Sequence, residues 1–266
     1  MKLITLNVWG GRVHKPLLNF LKEQGGKIDV FCFQEVFKSE KNFFSREIKT
    51  DIFSDIKEVL KDYNAYYSPV VEKTNLVEKV DFEIFWGQAT FVKKTIEVMS
   101  EGSIFIFGKY NHEWTFLNKN PKKYIDAPRL IHYVTIKDPS VNSGQAKEEV
   151  LIANLHGYWT PDSKEDTPER LEQSDKIIEF LNAYRSKKVL CGDFNLNPNT
   201  QSMLMLEKNM INLIKKYNIK STRSNLHTRK DKYADYVLVS KDIRVLDFKA
   251  FQDDVSDHLP LFLEFN

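Results

Sequence analysis

Apolar residues along this chain fall into short runs closed by polar or turn-forming residues, a rhythm that predicts many strands and a few helices. Residues 3 to 9 are β-rich and end at Gly10-Gly11, so Asn7 falls at a strand exit. Residues 13 to 24 carry Leu17, Phe20 and Leu21 on one helical face and stop at Gly25-Gly26. Residues 28 to 35 have an unbroken apolar centre, which predicts a strand buried on both faces with Glu35 at its exit. Residues 43 to 62 place Phe44, Ile48, Ile52, Ile56, Val59 and Leu60 at helical spacing and predict a surface helix.

Further strands are expected at residues 65–71, 86–93, 129–136 and 150–156, and residues 96–99 and 104–107 read as a hairpin about Gly102. The segment 72–85 is a loop, either packed or facing a substrate, and 138–149 is a polar surface loop. After a loop at 158–166, Asp166 or Thr167 caps a helix with Pro168 in its first turn and a stripe of Leu171, Ile177, Ile178 and Leu181. A strand at 188–192, a helix at about 200–209 and strands at 236–240, 243–250 and 259–265 complete the pattern. No repeat or linker interrupts it, so residues 1–266 are expected to form one domain of α+β layers, a β-sandwich flanked by helices.

Composition narrows the partners. The 266 residues are 42% apolar, enough for a large core, and 39 basic against 37 acidic residues leave a net charge of only +2. No global field therefore argues for nucleic acid or membrane, and a basic site must be local. No apolar stretch approaches a membrane span, and the run at residues 3–6 is too short for a signal segment. Cys32 and Cys191 sit inside apolar runs and suit buried free thiols. A cytoplasmic, monomeric protein is the expectation.

The chemistry lies at the strand ends: Asn7, Glu35, Asn154 with His156, Asp193 with Asn195, Asp235, and Asp257 with His258. Singly, each is explained by a cap, a loop or a satisfied histidine. Together they supply what metal-assisted phosphoester hydrolysis needs. Glu35 is an oxygen ligand for a hard cation, Asp193 or His258 a group to orient or deprotonate water, and Asn195 and His156 donors to a charged phosphoryl group. Asp235 is the candidate carboxylate behind the imidazole of His258.

Asn7, Gln34-Glu35, Asn154-Leu155-His156, Gly192-Asp193-Phe194-Asn195, Asp235-Tyr236 and Ser256-Asp257-His258 resemble, in order, the motifs of the endonuclease/exonuclease/phosphatase (DNase I-like) superfamily. That superfamily includes pancreatic deoxyribonuclease, abasic-site endonucleases, deadenylases, inositol polyphosphate 5-phosphatases and neutral sphingomyelinases. The resemblance implies a four-layer α/β sandwich, two mixed β-sheets face to face flanked by helices, and a Mg²⁺-dependent phosphoesterase, with Mn²⁺ as a substitute. It implies Glu35 as principal metal ligand with Asn7 and Asp257 nearby, Asp193 at the water, Asn195 on the scissile phosphate, His258 paired to Asp235, and His156 donating to phosphate or leaving group. The general base, Asp193 or His258, stays open. Lys232-Tyr233-Ala234 stand where members often carry an arginine before the Asp-Tyr pair, and Glu72, Glu78, Asp81 and Glu83 compete as acidic partner of His156.

For the substrate, Arg129 and the basic segment 215–232, with Arg229 and Lys230, are candidates to hold a polyanion, against the plainer reading of a surface ion pair and a solvated loop. Trp86, Trp114, Tyr158 and Trp159 either stack bases or pack. The expected substrate is DNA or RNA. The alternatives are a small phosphoester such as an inositol phosphate or sphingomyelin, and a catalytically inactive binding protein on the same fold.

Overall fold

The computed structural model describes residues 1–112, 127–137, 149–161 and 163–266. Along the chain run β1 (Lys2–Asn7), α1 (His14–Gln24), β2 (Val30–Ser39), β3 (Phe44–Ser45), β4 (Ile48–Lys49), α2 (Ile52–Val59), β5 (Tyr63–Glu72), β6 (Ile84–Lys93) and β7 (Val98–Phe107). They are followed by β8 (Arg129–Lys137), β9 (Glu149–His156), α3 (Pro168–Asn182), β10 (Lys187–Asp193), α4 (Gln201–Glu207), β11 (Met210–Asn212), α5 (Leu213–Lys216), β12 (Asp235–Ser240), β13 (Val245–Ala250) and β14 (Leu261–Phe265). Among the described residues, two six-stranded sheets have the orders β13-β14-β1-β2-β6-β5 and β11-β12-β10-β9-β8-β7. Both are mixed, and the whole is an α/β sandwich with helices on the outside.

Period-two alternation sorts the side chains into layers. In β1 and β2, Leu3, Val30 and Cys32 pack toward the second sheet, whereas Ile4, Leu6, Phe31 and Phe33 pack with α1 and α2 on the outer face. Among the described residues each sheet has one parallel pair at its centre, β1 with β2 and β9 with β10, joined through α1 and α3 respectively. Every other pairing is antiparallel. A parallel pair needs such a crossover, and the carboxyl ends of parallel strands are where an α/β sheet leaves room for a ligand. Asn7, His156 and Asp193 all end strands of these two central pairs.

Polar side chains stitch the sheets together. Gln34 Nε2 donates to Asn154 Oδ1 at 2.7 Å, and Asn154 Nδ2 donates to the carbonyls of Phe33 and Ala89, each at 3.1 Å. Asn154, expected among the strand-end chemistry, is therefore fully buried and structural.

Three expectations change. The segment 43–62 is not one helix: β3 and β4 form a hairpin over Arg46 (φ 48°) and Glu47 (φ 72°), both left-handed as a two-residue hairpin turn requires. The helix begins after Asp51, whose carboxylate accepts from Ser54 N at 3.3 Å. Residues 96–107 do not form a hairpin, because β7 runs straight through Gly102, where a Cβ would lie 2.7 Å from the hydroxyl of Tyr133. The glycine makes room for a neighbouring ring rather than a turn. Thirdly, β2 does not exit at Glu35 but continues to Ser39 across a bulge between Phe33 and Val36. The expected loop at 138–149 lies almost wholly outside the described residues, as does Trp114. No helix of the described residues is long and apolar enough to cross a membrane. Cys32 and Cys191 are buried and free.

Candidate active site

Local backbone irregularities aim the site residues. Glu35 sits at the bulge with φ 55°, and Trp9 (φ 51°) and Asn195 (φ 55°) share that left-handed conformation. Such a conformation costs about 1–3 kcal/mol outside glycine and gathers where side chains must be re-aimed. Gly192 (φ 130°) precedes Asp193 because a Cβ there would come within 2.1 Å of the Leu155 carbonyl oxygen on β9. The two central strands approach closely at this point, which sets Asp193 opposite His156 in register.

Eight predicted residues converge. Asn7 Nδ2 donates to Glu35 Oε1 and to Asp193 Oδ2, each at 3.1 Å, while Asn7 Oδ1 accepts from Trp9 N at 2.9 Å. The carboxamide thus braces two carboxylates with its nitrogen, and its oxygen is occupied. Asp193 Oδ1 also accepts from Asn195 N at 3.0 Å. His258 Nδ1 lies 2.8 and 2.9 Å from the two oxygens of Asp235, and its Nε2 lies 3.7 Å from Asp193 Oδ2. His156 Nε2 stands 3.9 Å from both Glu35 Oε1 and Asp193 Oδ2. Asp257 joins through Arg223, whose guanidinium bonds Asp257 Oδ2 at 3.3 Å and also His258 Nε2.

Charge follows from burial and neighbours. Burial opposes ionisation of Asp193, but His258 and Lys164 hold its carboxyl far below the usual range. Burial and Arg223 oppose a charge on His258, yet Asp235, Asp257 and Asp193 outweigh them and raise its proton affinity. His156 goes the other way: burial, with Arg129 nearby, keeps it neutral. Glu35 is raised chiefly by burial and further by Asp257 and Asp193, against the Asn7 hydrogen bond. Two histidines of opposite character therefore flank one permanently ionised aspartate.

The groups open into a pocket of about 440 Å³ walled by Trp9, Trp86 and Trp159. Arg129 lies 5.2 Å over Trp86 and Arg229 lies 5.3 Å over Trp159, and both line it. Lys230 does not line it and is exposed. The basic segment is thus no continuous stripe: Lys215 pairs with Glu207 at 2.8 Å and Lys220 bonds Asn218, while Arg223 turns inward and the exposed Arg229 lines the pocket mouth. Tyr158 is buried against Phe107, 4.5 Å between ring centroids. Of the acids considered as partners of His156, Glu72 bonds Tyr110 and Asn111 and Glu78 bonds Arg46. The ring instead meets Trp86 edge-on at 5.4 Å.

Sequence reasoning did not single out Arg223 as a site residue, nor Lys164 at all. The backbone of Arg223 bridges to His258, so a loop upstream of β12 supplies the arginine that Lys232-Tyr233-Ala234 do not. Lys164 Nζ donates to Asn195 Oδ1 at 3.0 Å. Neither could be told from the surrounding charged residues without the contacts.

A family model described as the Endonuclease/Exonuclease/phosphatase family matches residues 4–258. The chain belongs to that family. It is accordingly a metal-dependent phosphoester hydrolase. A search of curated proteins finds no match to the sequence. Among solved structures it is similar to the mannosyl-6-phosphatase Bt3783 of Bacteroides thetaiotaomicron, with TM-score 0.67 and 16% identity over 100% of this chain and 99% of that one. It is also similar to the human Nocturnin catalytic domain with bound sulfate, with TM-score 0.66 and 17% identity over 100% and 93%. Truncated Caenorhabditis elegans TDP2 aligns with TM-score 0.57 and 15% identity over 99% and 96%. At these identities the likeness is one of fold.

The residues fit the divalent cation that the family implies. Glu35 is raised chiefly by burial and further by the nearby charges of Asp257 and Asp193, a set of carboxylates that a cation would relieve, and carboxylate oxygens are the donors a hard cation takes. Glu35 and Asp257 would hold it. The trio Asp193, Asp235 and His258 also brings ligand atoms within 4.8 Å, but both oxygens of Asp235 already face His258 Nδ1, which leaves that carboxylate engaged with the imidazole rather than open to a metal.

Proposed function

We propose that this protein is a Mg²⁺-dependent phosphodiesterase acting on a nucleotide-bearing substrate, with Mn²⁺ able to substitute, and that it works on single-stranded or terminal positions of nucleic acid. The observation that carries the reading is the position of Asp193 and His258, the latter backed by Asp235, on one bounded pocket with indole and guanidinium walls. A volume of about 440 Å³ suits one unstacked nucleotide and not a duplex. Planar rings and arginines are what an unpaired base and its phosphates use.

In this reading Asp193, ionised at any working pH, orients the attacking water by accepting its hydrogen bond. His258, raised and backed by Asp235, takes up a proton at Nε2 once Arg223, which donates to that nitrogen, gives way. Neutral His156 donates to a non-bridging oxygen, and Asn7 keeps Glu35 and Asp193 apart and aligned. The bound cation supplies Lewis-acid polarisation of the phosphoryl group.

A second reading, a phosphatase of a small sugar or inositol phosphate, is favoured by the same bounded pocket. The test is a panel of single-stranded DNA and RNA, mononucleotides, sugar phosphates and inositol phosphates, with Mg²⁺, Mn²⁺ and chelator. Chelator-sensitive turnover of oligonucleotides is expected. Turnover confined to monoesters would replace the first reading by the second, and binding without any turnover would favour the inactive scaffold.

A further inference from the structure

Lys164 belongs to no motif of the chain, yet it is buried beside the reacting groups. Its side chain is 7% exposed and lines the same pocket as Asp193, Asn195 and His258. Burying an ammonium is costly unless it is placed for a purpose or fully paired. Here one N–H goes to Asn195 Oδ1 at 3.0 Å, while Asp231 Oδ2 stands at 3.6 Å, beyond a hydrogen bond. Donor capacity is left for whatever enters the pocket.

The loop between β9 and α3 is built to hold this lysine. Its carbonyl accepts from Asn197 N at 2.9 Å, which ties it to the exit of β10. Arg170, in the first turn of α3 and 0% exposed, donates to the carbonyls of Ser163 (2.9 Å) and Glu165 and to Thr160 Oγ1 (3.4 Å). Among the described residues no carboxylate lies within ion-pair range of that guanidinium. A buried arginine spent on the carbonyls of one loop is a clasp for the loop.

We propose that Lys164 contacts the substrate phosphate: it fixes the Asn195 carboxamide with one N–H and donates another to a non-bridging phosphoryl oxygen. The amide of Asn195 cannot turn over, because Nδ2 donates to the Gly157 carbonyl at 3.2 Å while Oδ1 faces the ammonium. A cation at that point meets charge that grows in the transition state. This assignment rests on the phosphoester reading of the pocket and adds a residue to it.

The test compares Lys164→Met and Lys164→Arg with the native enzyme, by calorimetric titration of inorganic phosphate with Mg²⁺ present and by kcat on p-nitrophenyl phosphate esters. Losing a charge-assisted donor should weaken phosphate about 10- to 100-fold and lower kcat by a similar factor, whereas arginine should keep most of both. Phosphate affinity and turnover unchanged within about twofold in Lys164→Met would overturn the assignment, as would native enzyme that binds no phosphate. Should Lys164→Met melt early, Lys164→Ala with added ethylamine carries the test: regained phosphate affinity supports the contact, and no regain refutes it. Native enzyme that binds phosphate through Lys164 but hydrolyses no ester would sink the functional reading and leave this contact standing.

Discussion

Replacing Asn154 by leucine separates a residue that builds the sandwich from one that does its chemistry. The substitution keeps volume but strips three hydrogen bonds from the buried seam between the sheets. Gln34 Nε2 keeps partners at Thr5 Oγ1 (3.1 Å) and Cys32 O (3.3 Å), so its loss is small. The carbonyls of Phe33 and Ala89 each lose this donor, and a buried polar group left unpaired costs about 1–3 kcal/mol. The expected destabilisation is therefore about 2–6 kcal/mol, a large share of the roughly 5–15 kcal/mol that holds a domain folded. With a urea slope of about 3 kcal/mol per molar, the unfolding midpoint should fall by about 1–2 M. Below that midpoint, kcat per folded molecule should stay within about fivefold, because the side chain does not reach the pocket. Equilibrium urea titration by fluorescence and turnover at low temperature measure the two quantities. An unmoved midpoint together with a hundredfold loss of kcat would return Asn154 to the active site and refute the argument.

Asp235→Asn should lower kcat by about 10²- to 10⁴-fold with the urea midpoint little changed, since the amide holds His258 in place without favouring its charge; retention of kcat within tenfold would separate Asp235 from the proton relay. Glu35→Gln should weaken Mn²⁺ binding, read by water-proton relaxation, about tenfold or more in folded protein, and unaltered affinity would place the cation elsewhere. His132 gives an acid-sensitive term. Burial drives its pKa down to about 4 from an unfolded value of about 6.5, so the unfolded chain binds more protons between those values. Stability is full above the unfolded value and falls as pH drops through that window, by about 2 kcal/mol between pH 7 and pH 5. Glu101 at 3.8 Å is too far and too exposed to offset the burial. His132→Asn should remove that part of the slope in urea midpoints, and an identical slope would assign it to other groups.

How much of this was legible beforehand differs by residue, for physical reasons. Asp193, Asp235 and His258 were readable because each adjoins a buried strand, where a charged side chain has no structural excuse. Glu35 was found by type but misplaced by geometry, since a bulge inside a strand carries no mark beyond the glutamate itself. Arg170 was missed because its helical face, with Gln173 and Ser174, turns to a loop and not to the core, and so breaks the apolar stripe.

By itself the sequence determined most of the strands, the helices that became α1 and α3, and the family to which the site belongs, because local periodicity and short motifs are written in neighbouring residues. Only the tertiary structure decided that Asn154 holds the sheets together and leaves the pocket alone, that Arg223 and Lys164 reach the reacting centre from separate loops, and that an aromatic wall bounds the space. Those outcomes depend on which distant segments share a few ångströms, and no local pattern along a chain records that distance.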